Sequence, residues 1–127
     1  MSYQTLMDAL QMKVIEQSKE LVQVEMPVTG RVKQPMGFLH GGATVALAET
    51  AASIGGMQYV DPSREAIAGI EINCNHLRAK KEGTIIAEAS PTHIGKKTHV
   101  WGIKVRDEQG VLTAISRCTL GVVDRNN

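Results

Sequence analysis

The segment formed by residues 41–54 restricts the fold more than any other part of this sequence. Small and apolar residues recur in it at helical spacing, which predicts a helix that ends near two glycines, Gly55 and Gly56. The other face of this helix is also small or apolar, so we expect it to be buried on most sides. Its one ionisable side chain is Glu49. Buried carboxylates are uncommon unless they are paired or functional, which makes Glu49 the first candidate for chemistry.

The predicted helix begins in an unusual way, with Leu39, His40, Gly41 and Gly42. Helices usually start at Ser, Thr, Asp or Asn, whose side-chain oxygen accepts a hydrogen bond from one of the first N–H groups. Because none of these residues stands here, we expect the first N–H donors to remain free, and the glycines allow another molecule to approach the backbone closely. A developing oxyanion would be a suitable partner. The residues alone leave two simpler interpretations open, namely a tight turn at His40 and a buried ion pair at Glu49.

Six residues carry a resemblance to a known family: Gln34, His40, Gly41, Gly42, Glu49 and Ser53. Their order and spacing are similar to the signature of the hotdog-fold acyl-CoA thioesterases. The subgroup that the chain resembles holds the phenylacetate-pathway thioesterases, the enterobactin-proofreading thioesterase and the 1,4-dihydroxy-2-naphthoyl-CoA thioesterases. The likeness extends over about residues 22–123. It implies an α+β hotdog fold, in which an antiparallel sheet wraps around one central helix.

The resemblance also implies a role for each residue of the candidate site. Glu49 would be the nucleophile or the general base, and the N–H group of Gly41 would polarise the thioester carbonyl. Gln34 and His40 would line the site, and Ser53 would orient water or substrate. The reaction would convert an acyl-CoA with an aryl or medium-sized acyl group into the free acid and coenzyme A. Coenzyme A is then part of the substrate, and we expect no separate cofactor and no metal.

Composition limits the classes of protein to which the chain can belong. Its 127 residues predict a single domain, residues 1–127, and a formal net charge of +1 argues against a nucleic-acid binder with a broad basic surface. Aromatic residues make up 3% of the chain, so no platform for stacking bases is expected. The sequence shows neither a signal peptide nor an apolar run of membrane-spanning length. We therefore expect a soluble cytoplasmic protein with no nucleic-acid and no membrane partner.

The two cysteines, Cys74 and Cys118, do not have the spacing of a metal site. A disulfide between them would be compatible with the sequence. Because a cytoplasmic protein is expected, we predict two reduced thiols instead.

The rest of the chain predicts one short helix and five strands. The helix is expected over residues 5–17, where apolar residues again have helical spacing. Alternating or apolar patterns predict strands over residues 20–28, 66–77, 83–89, 98–106 and 111–123. Met7 and Met12 are expected to pack in the core, with closure of an acyl pocket as the alternative. One buried helix among about five antiparallel strands is an α+β layout.

Two basic turns are weaker candidates for a binding site. Arg78 follows the second predicted strand, and Gly95, Lys96 and Lys97 lie between two later strands. Together they would cradle the phosphates of coenzyme A, as similar segments do in thioesterases of this kind, although basic turns are more often solvated loops. His76 would either line the site or merely end a strand. His99, beside Trp101, is expected to be structural.

Helix geometry predicts that the active site is shared between two chains. Gly41 and Glu49 are eight positions apart, which separates their backbones by about 12 Å at about 1.5 Å per residue. The side chain of Glu49 recovers roughly 4 Å of that distance, yet both groups must contact one thioester. A two-fold dimer solves the problem if Gly41, His40 and Gln34 of one chain face Glu49 and Ser53 of the other. The resemblance implies that such dimers pair again into tetramers.

Two other functions remain open from the sequence. A dehydratase or hydratase of the same fold, acting on a 3-hydroxyacyl thioester, would need a histidine and a carboxylate, which His40 and Glu49 could supply. A non-catalytic acyl-CoA-binding module is disfavoured because it would gain nothing from a buried carboxylate. Release of free thiol from a saturated acyl-CoA separates a thioesterase from a dehydratase, because a dehydratase releases none.

Overall fold

A six-stranded antiparallel sheet wraps around one long helix in the computed structural model, which describes residues 4–125. Along the chain the elements are α1 (Leu6–Ala9), β1 (Lys13–Gln17), β2 (Val22–Pro27), α2 (Gly41–Met57), β3 (Glu65–His76), β4 (Thr84–Ile94), β5 (Thr98–Asp107) and β6 (Leu112–Asp124). The strand order across the sheet is β1-β2-β4-β5-β6-β3. The predicted α+β hotdog layout is confirmed, with six strands in place of about five.

The concave face of the sheet and α2 form the hydrophobic core. Val22, Val24 and Met26 of β2 alternate with half-buried residues and are each fully buried, as the sequence pattern predicted. Trp101 on β5 is also fully buried, and a Cβ atom on Gly55 of α2 would collide with its ring. The glycines near the end of α2 therefore permit close packing against the sheet, and the helix continues past them to Met57.

The predicted helix over residues 5–17 is wrong for most of its length. Thr5 and Asp8 form a reciprocal capping box that starts α1, but the helix is four residues long and Gln11, with φ of +60°, turns the chain away. The chain then forms β1, in which Val14 pairs with Val24 of β2. Hydrogen bonding to a neighbouring strand overrides the local helical spacing and supplies the sixth strand.

The two edges of the sheet differ in length and protection. β1 has five residues and an irregular register between Val14 and Glu16, features that blunt an edge. β3 has 12 residues and pairs with β6 along one side, and Ile70 in its middle is 60% exposed. A long, partly apolar edge strand offers unpaired backbone groups to another chain.

The remaining expectations concern β4, the cysteines and the membrane. β4 extends to Ile94, beyond the predicted residue 89, because the strand continues through a register shift between Pro91 and His93.

Cys74 and Cys118 are free thiols, as predicted. Within residues 4–125 no helix combines the length and the apolar character that crossing a membrane requires.

Candidate active site

The start of α2 presents one unpaired N–H group. His40 is the N-cap residue, and its Nδ1 atom accepts a hydrogen bond from the Gly42 N–H group at 2.8 Å. The expectation that all first-turn donors are free is therefore wrong for Gly42, because an imidazole nitrogen here does the work of the usual side-chain oxygen. The N–H groups of Ala43 and Thr44 donate to the His40 carbonyl at 3.0 and 3.4 Å. In the described part of the chain, no acceptor lies within hydrogen-bond reach of the Gly41 N–H group.

A hollow of about 410 Å³ opens beside Gly41. Gln34, His76 and Arg78 line it together with Gly41. The imidazole of His76 lies over Gly41, because a Cβ atom there would stand 3.1 Å from its Nε2 atom. His76 therefore lines this hollow and also ends β3. His40 does not line this hollow and acts as the helix cap.

A tight loop positions Gln34. Its N–H group donates to the Phe38 carbonyl at 2.8 Å, and its side-chain Oε1 atom accepts a hydrogen bond from the Met36 N–H group. Gly37 adopts a φ of +90°, a conformation that glycine reaches without strain. The side-chain oxygen of Gln34 is thus engaged within its own loop, and its NH₂ group remains as a donor.

Lys80 holds the loop that carries Arg78 against two neighbouring segments. The Lys80 carbonyl accepts a hydrogen bond from the Leu39 N–H group at 2.7 Å. Its Nζ atom lies 2.8 Å from the carboxylate of Glu108, in the turn after β5, and 3.6 Å from that of Asp107, the last residue of β5. The hydrogen bond from Lys80, followed by one from the Thr84 N–H group, lowers the pKa of Glu108 to about 2. These contacts join the Arg78 loop to two neighbouring segments.

A second hollow of about 410 Å³ contains Glu49. Ser53 shares it, and its apolar walls come from both helices: Leu6 and Met7 from α1, and Ile54 and Met57 from α2. Of the two methionines expected to pack in the core, Met12 does so, whereas Met7 lines this second hollow.

Glu49 is half-buried in the chain, not fully buried as its neighbours in sequence suggested. Its carboxylate stands against Gly69 of β3, in the space that a Cβ atom on residue 69 would occupy. Within residues 4–125, neither a hydrogen bond nor an ion pair reaches this carboxylate. The interpretation of Glu49 as a member of a buried ion pair therefore fails in the described chain.

The thiol of Cys118 is buried in the core, and the charge of Glu49 influences its pKa. Burial raises its pKa to about 11, and the negative charges of Glu49 and Glu71 add to the effect. At neutral pH the thiol therefore keeps its proton, and the thiolate is the reactive form of cysteine.

The predicted coenzyme A residues lie at opposite ends of α2 in the chain. Arg78 lines the hollow beside Gly41, whereas Gly95 and Lys96 line a third hollow of about 330 Å³ with Tyr59 and His99. Lys97 is the exposed neighbour of Lys96. One chain by itself therefore does not bring the two basic turns together.

His99 is buried, with 1% of its surface exposed, and packs edge-on against Tyr59 with ring centroids 5.9 Å apart. Burial, and to a lesser extent the charge of His93, lowers the pKa of His99. The imidazole is therefore held neutral within the core, which agrees with the structural role expected from the sequence.

The hollow of Gly41 and the hollow of Glu49 share no lining residue. Gln34, Gly41, His76 and Arg78 belong to the first, and Glu49 and Ser53 to the second. The separation follows from the helix, since the two groups stand two turns apart on α2. Neither hollow therefore brings the Gly41 N–H group and the Glu49 carboxylate together.

Comparison with known proteins identifies the family. The thioesterase superfamily model matches residues 36–114, which is more than half of the chain, and the chain belongs to that superfamily. The enzyme class is accordingly thioester hydrolase.

Two relatives and one solved structure illustrate the similarity. The 1,4-dihydroxy-2-naphthoyl-CoA hydrolase of Listeria monocytogenes is 51% identical over 108 residues, which cover 85% of this chain and 85% of that protein. The hydrolase of the same name from Escherichia coli is 39% identical over 104 residues, covering 82% and 76%. The crystal structure of a glutamine-to-alanine mutant of a thioesterase enzyme from Staphylococcus aureus matches with a TM-score of 0.90 at 40% identity, covering 92% of this chain and 97% of that one.

Proposed function

We propose that the protein hydrolyses an acyl-CoA thioester with an aromatic acyl group, using Glu49 as nucleophile or general base. The observation that carries the proposal is that one helix places two complementary chemical groups in two separate hollows. Within the described residues, one hollow offers an N–H donor without an acceptor at Gly41, and the other offers a carboxylate without a counter-ion at Glu49. A donor for a developing oxyanion and an oxygen base or nucleophile are the two components that thioester hydrolysis requires.

The chemistry can be written from these two groups. The Gly41 N–H group donates to the thioester oxygen, which stabilises the negative charge that develops there during attack. Glu49 either attacks the carbonyl carbon, forming an anhydride that water then cleaves, or takes a proton from the water that attacks. The carbon–sulfur bond breaks in both routes and coenzyme A leaves as its thiolate. Because a thiolate is a good leaving group, a dedicated general acid is not required.

The acyl group would occupy the hollow of Glu49. Its volume of about 410 Å³ lies within the range of about 300–1,000 Å³ that is usual for small-molecule pockets. Leu6, Met7, Ile54 and Met57 make most of its wall apolar, and the hydroxyl of Ser53 is available to a polar substituent. A flat aromatic acyl group with hydroxyl substituents, such as the one named for the Listeria and Escherichia relatives, suits this lining.

A second copy of the chain would complete the site. The carboxylate of Glu49 stands against Gly69 on the exposed edge strand β3, so a chain that pairs along β3 would reach Glu49 directly. In a two-fold arrangement, α2 of the partner would bring its Gly41 end toward Glu49, giving two equivalent sites. The same arrangement would bring Arg78 of one chain closer to Lys96 and Lys97 of the other, around the phosphates of coenzyme A.

A panel of thioesters tests the proposed function. The protein is incubated with an aroyl-CoA, a medium-chain acyl-CoA and a 3-hydroxyacyl-CoA, and a thiol-trapping dye reports free coenzyme A. We expect thiol release from all three, fastest with the aroyl-CoA. Loss of water from the 3-hydroxyacyl-CoA without thiol release from any substrate would contradict the proposal and favour a dehydratase.

A further inference from the structure

Gly69 lies in the middle of β3, opposite Leu120 of β6, immediately before a shift in the register of the two strands. Its φ is not among the positive values found at Gly37, Gly83 and Gly110, so its backbone conformation does not require glycine. Glycine is also unfavourable inside a strand, because it gains little from packing and loses more conformational freedom on folding. Some other property must explain a glycine at this position.

The missing side chain makes room for the catalytic candidate. A Cβ atom on residue 69 would overlap the Oε2 atom of Glu49, which occupies that space. The atom in conflict is the end of a flexible side chain, so an alanine at 69 would push the carboxylate away without disturbing the backbone. At another strand glycine, Gly102, the nearest atom would be the Thr92 Oγ1 atom at an ordinary 3.7 Å.

We propose that Gly69 is a positioning residue that sets the location of the Glu49 carboxylate. The proposal rests on the proposed function, in which Glu49 acts on the thioester. In the described chain no hydrogen bond or ion pair holds this carboxylate, so the shape of its surroundings fixes its place. Because a displacement of about 1 Å can cost about 10²-fold in rate, a single methyl group at residue 69 is enough to impair the reaction.

The first experiment compares Gly69→Ala with Gly102→Ala as the matched control. For Gly69→Ala we expect kcat to fall about 10- to 100-fold while KM stays within about threefold. We expect the melting temperature to remain equal or to rise, since alanine restricts the unfolded chain. Gly102→Ala should keep wild-type kcat. Wild-type kcat in Gly69→Ala would overturn the proposal, and so would a loss of activity that accompanies a change in the mass of the assembly.

The second experiment is a cycle with Glu49→Gln. If Gly69 acts through Glu49, Gly69→Ala should reduce activity in the wild-type background and cause no further loss in the Glu49→Gln background. An equal fold-loss in both backgrounds would show that Gly69 acts independently of Glu49 and would overturn the inference. The two proposals fail differently: an active Glu49→Gln protein overturns both, whereas an inactive Glu49→Gln protein beside a fully active Gly69→Ala protein overturns the positioning role alone.

Discussion

At the scale of the residue, Glu49 and Gly41 differ from their neighbours on α2 in what they leave unpaired. The N–H group of Gly42 is capped by His40, whereas that of Gly41 has no acceptor in the part of the chain described. Among residues 4–125 the Glu49 carboxylate makes no ion pair, and its negative charge helps to raise the pKa of the buried thiol of Cys118. An uncompensated carboxylate costs stability, and residues that do so are often retained for function.

Replacing Glu49 separates its chemical role from a structural one. Glu49→Gln has nearly the same shape, so we expect the fold to persist and turnover to fall by about 10²-fold or more, as loss of a positioned base or nucleophile does. The measurement is kcat with the best thioester of the panel, together with the melting temperature. Near-normal hydrolysis by a folded Glu49→Gln protein would remove Glu49 from the mechanism.

Some of these residue-scale features could be read from the sequence and others could not. Glu49 stands out because it is the one charge in an apolar helix, a local pattern. The cap formed by His40 was missed because histidine is not among the usual capping residues. The contact between Glu49 and Gly69 joins residues 20 positions apart, although an isolated glycine inside a predicted strand is itself a sign of close approach.

At the scale of the element, the sequence predicted what depends on local periodicity and missed what depends on pairing. α2 and the burial pattern of β2 and β5 follow from spacing alone. The apolar spacing of β1 fits a helix, which is why a helix was predicted there. The segment is a strand because it pairs with β2, which begins five residues after β1 ends. The ion pair between Lys80 and Glu108 joins two turns whose residues are 28 positions apart, and no local pattern in the sequence reveals it.

The ion pair between Lys80 and Glu108 should make the folded protein less stable at acid pH. Glu108 has its pKa lowered from 4.5 to about 2, so its ion pair favours the folded state above the unfolded pKa of 4.5. That contribution is lost as pH falls from about 4.5 toward about 2. We therefore expect urea unfolding midpoints to drop more between pH 6 and pH 3 in the wild type than in Glu108→Gln. Equal drops would show that the pair contributes nothing, as many exposed pairs do not.

At the scale of the whole molecule, the fold places Gly41 and Glu49 in two separate hollows. α2 separates Gly41 from Glu49 by two turns, and the sheet curls around the helix so that the β3 edge and the Glu49 hollow are both open. Helix rise is a fixed property of the backbone, so the sequence alone sufficed to predict this division. The two basic turns likewise lie at opposite ends of α2, so under the proposed function two chains would be needed to hold coenzyme A between them.

A test of whether one site needs two chains combines Glu49→Gln with a variant that lacks the N–H donor of Gly41. Gly41→Pro removes the N–H donor at the first helical position, where proline is tolerated, and the extended ψ of 128° at His40 suits a residue before proline. Gly41→Ala is the matched control, because it adds a Cβ atom beside His76 but keeps the donor. We expect Gly41→Pro to be inactive and Gly41→Ala, which crowds His76 but keeps the N–H donor, to be clearly more active than Gly41→Pro.

The most direct measurement is the activity of Gly41→Pro and Glu49→Gln proteins mixed in equal amounts and allowed to exchange subunits. A mixed dimer would hold one site with both changes and one site with neither. Half of the dimers would be mixed, so activity should recover to about a quarter of the wild-type value. The mass of the assembly and a tag on each variant would verify that mixed dimers form. Mixed dimers without activity would contradict a site that is shared between two chains.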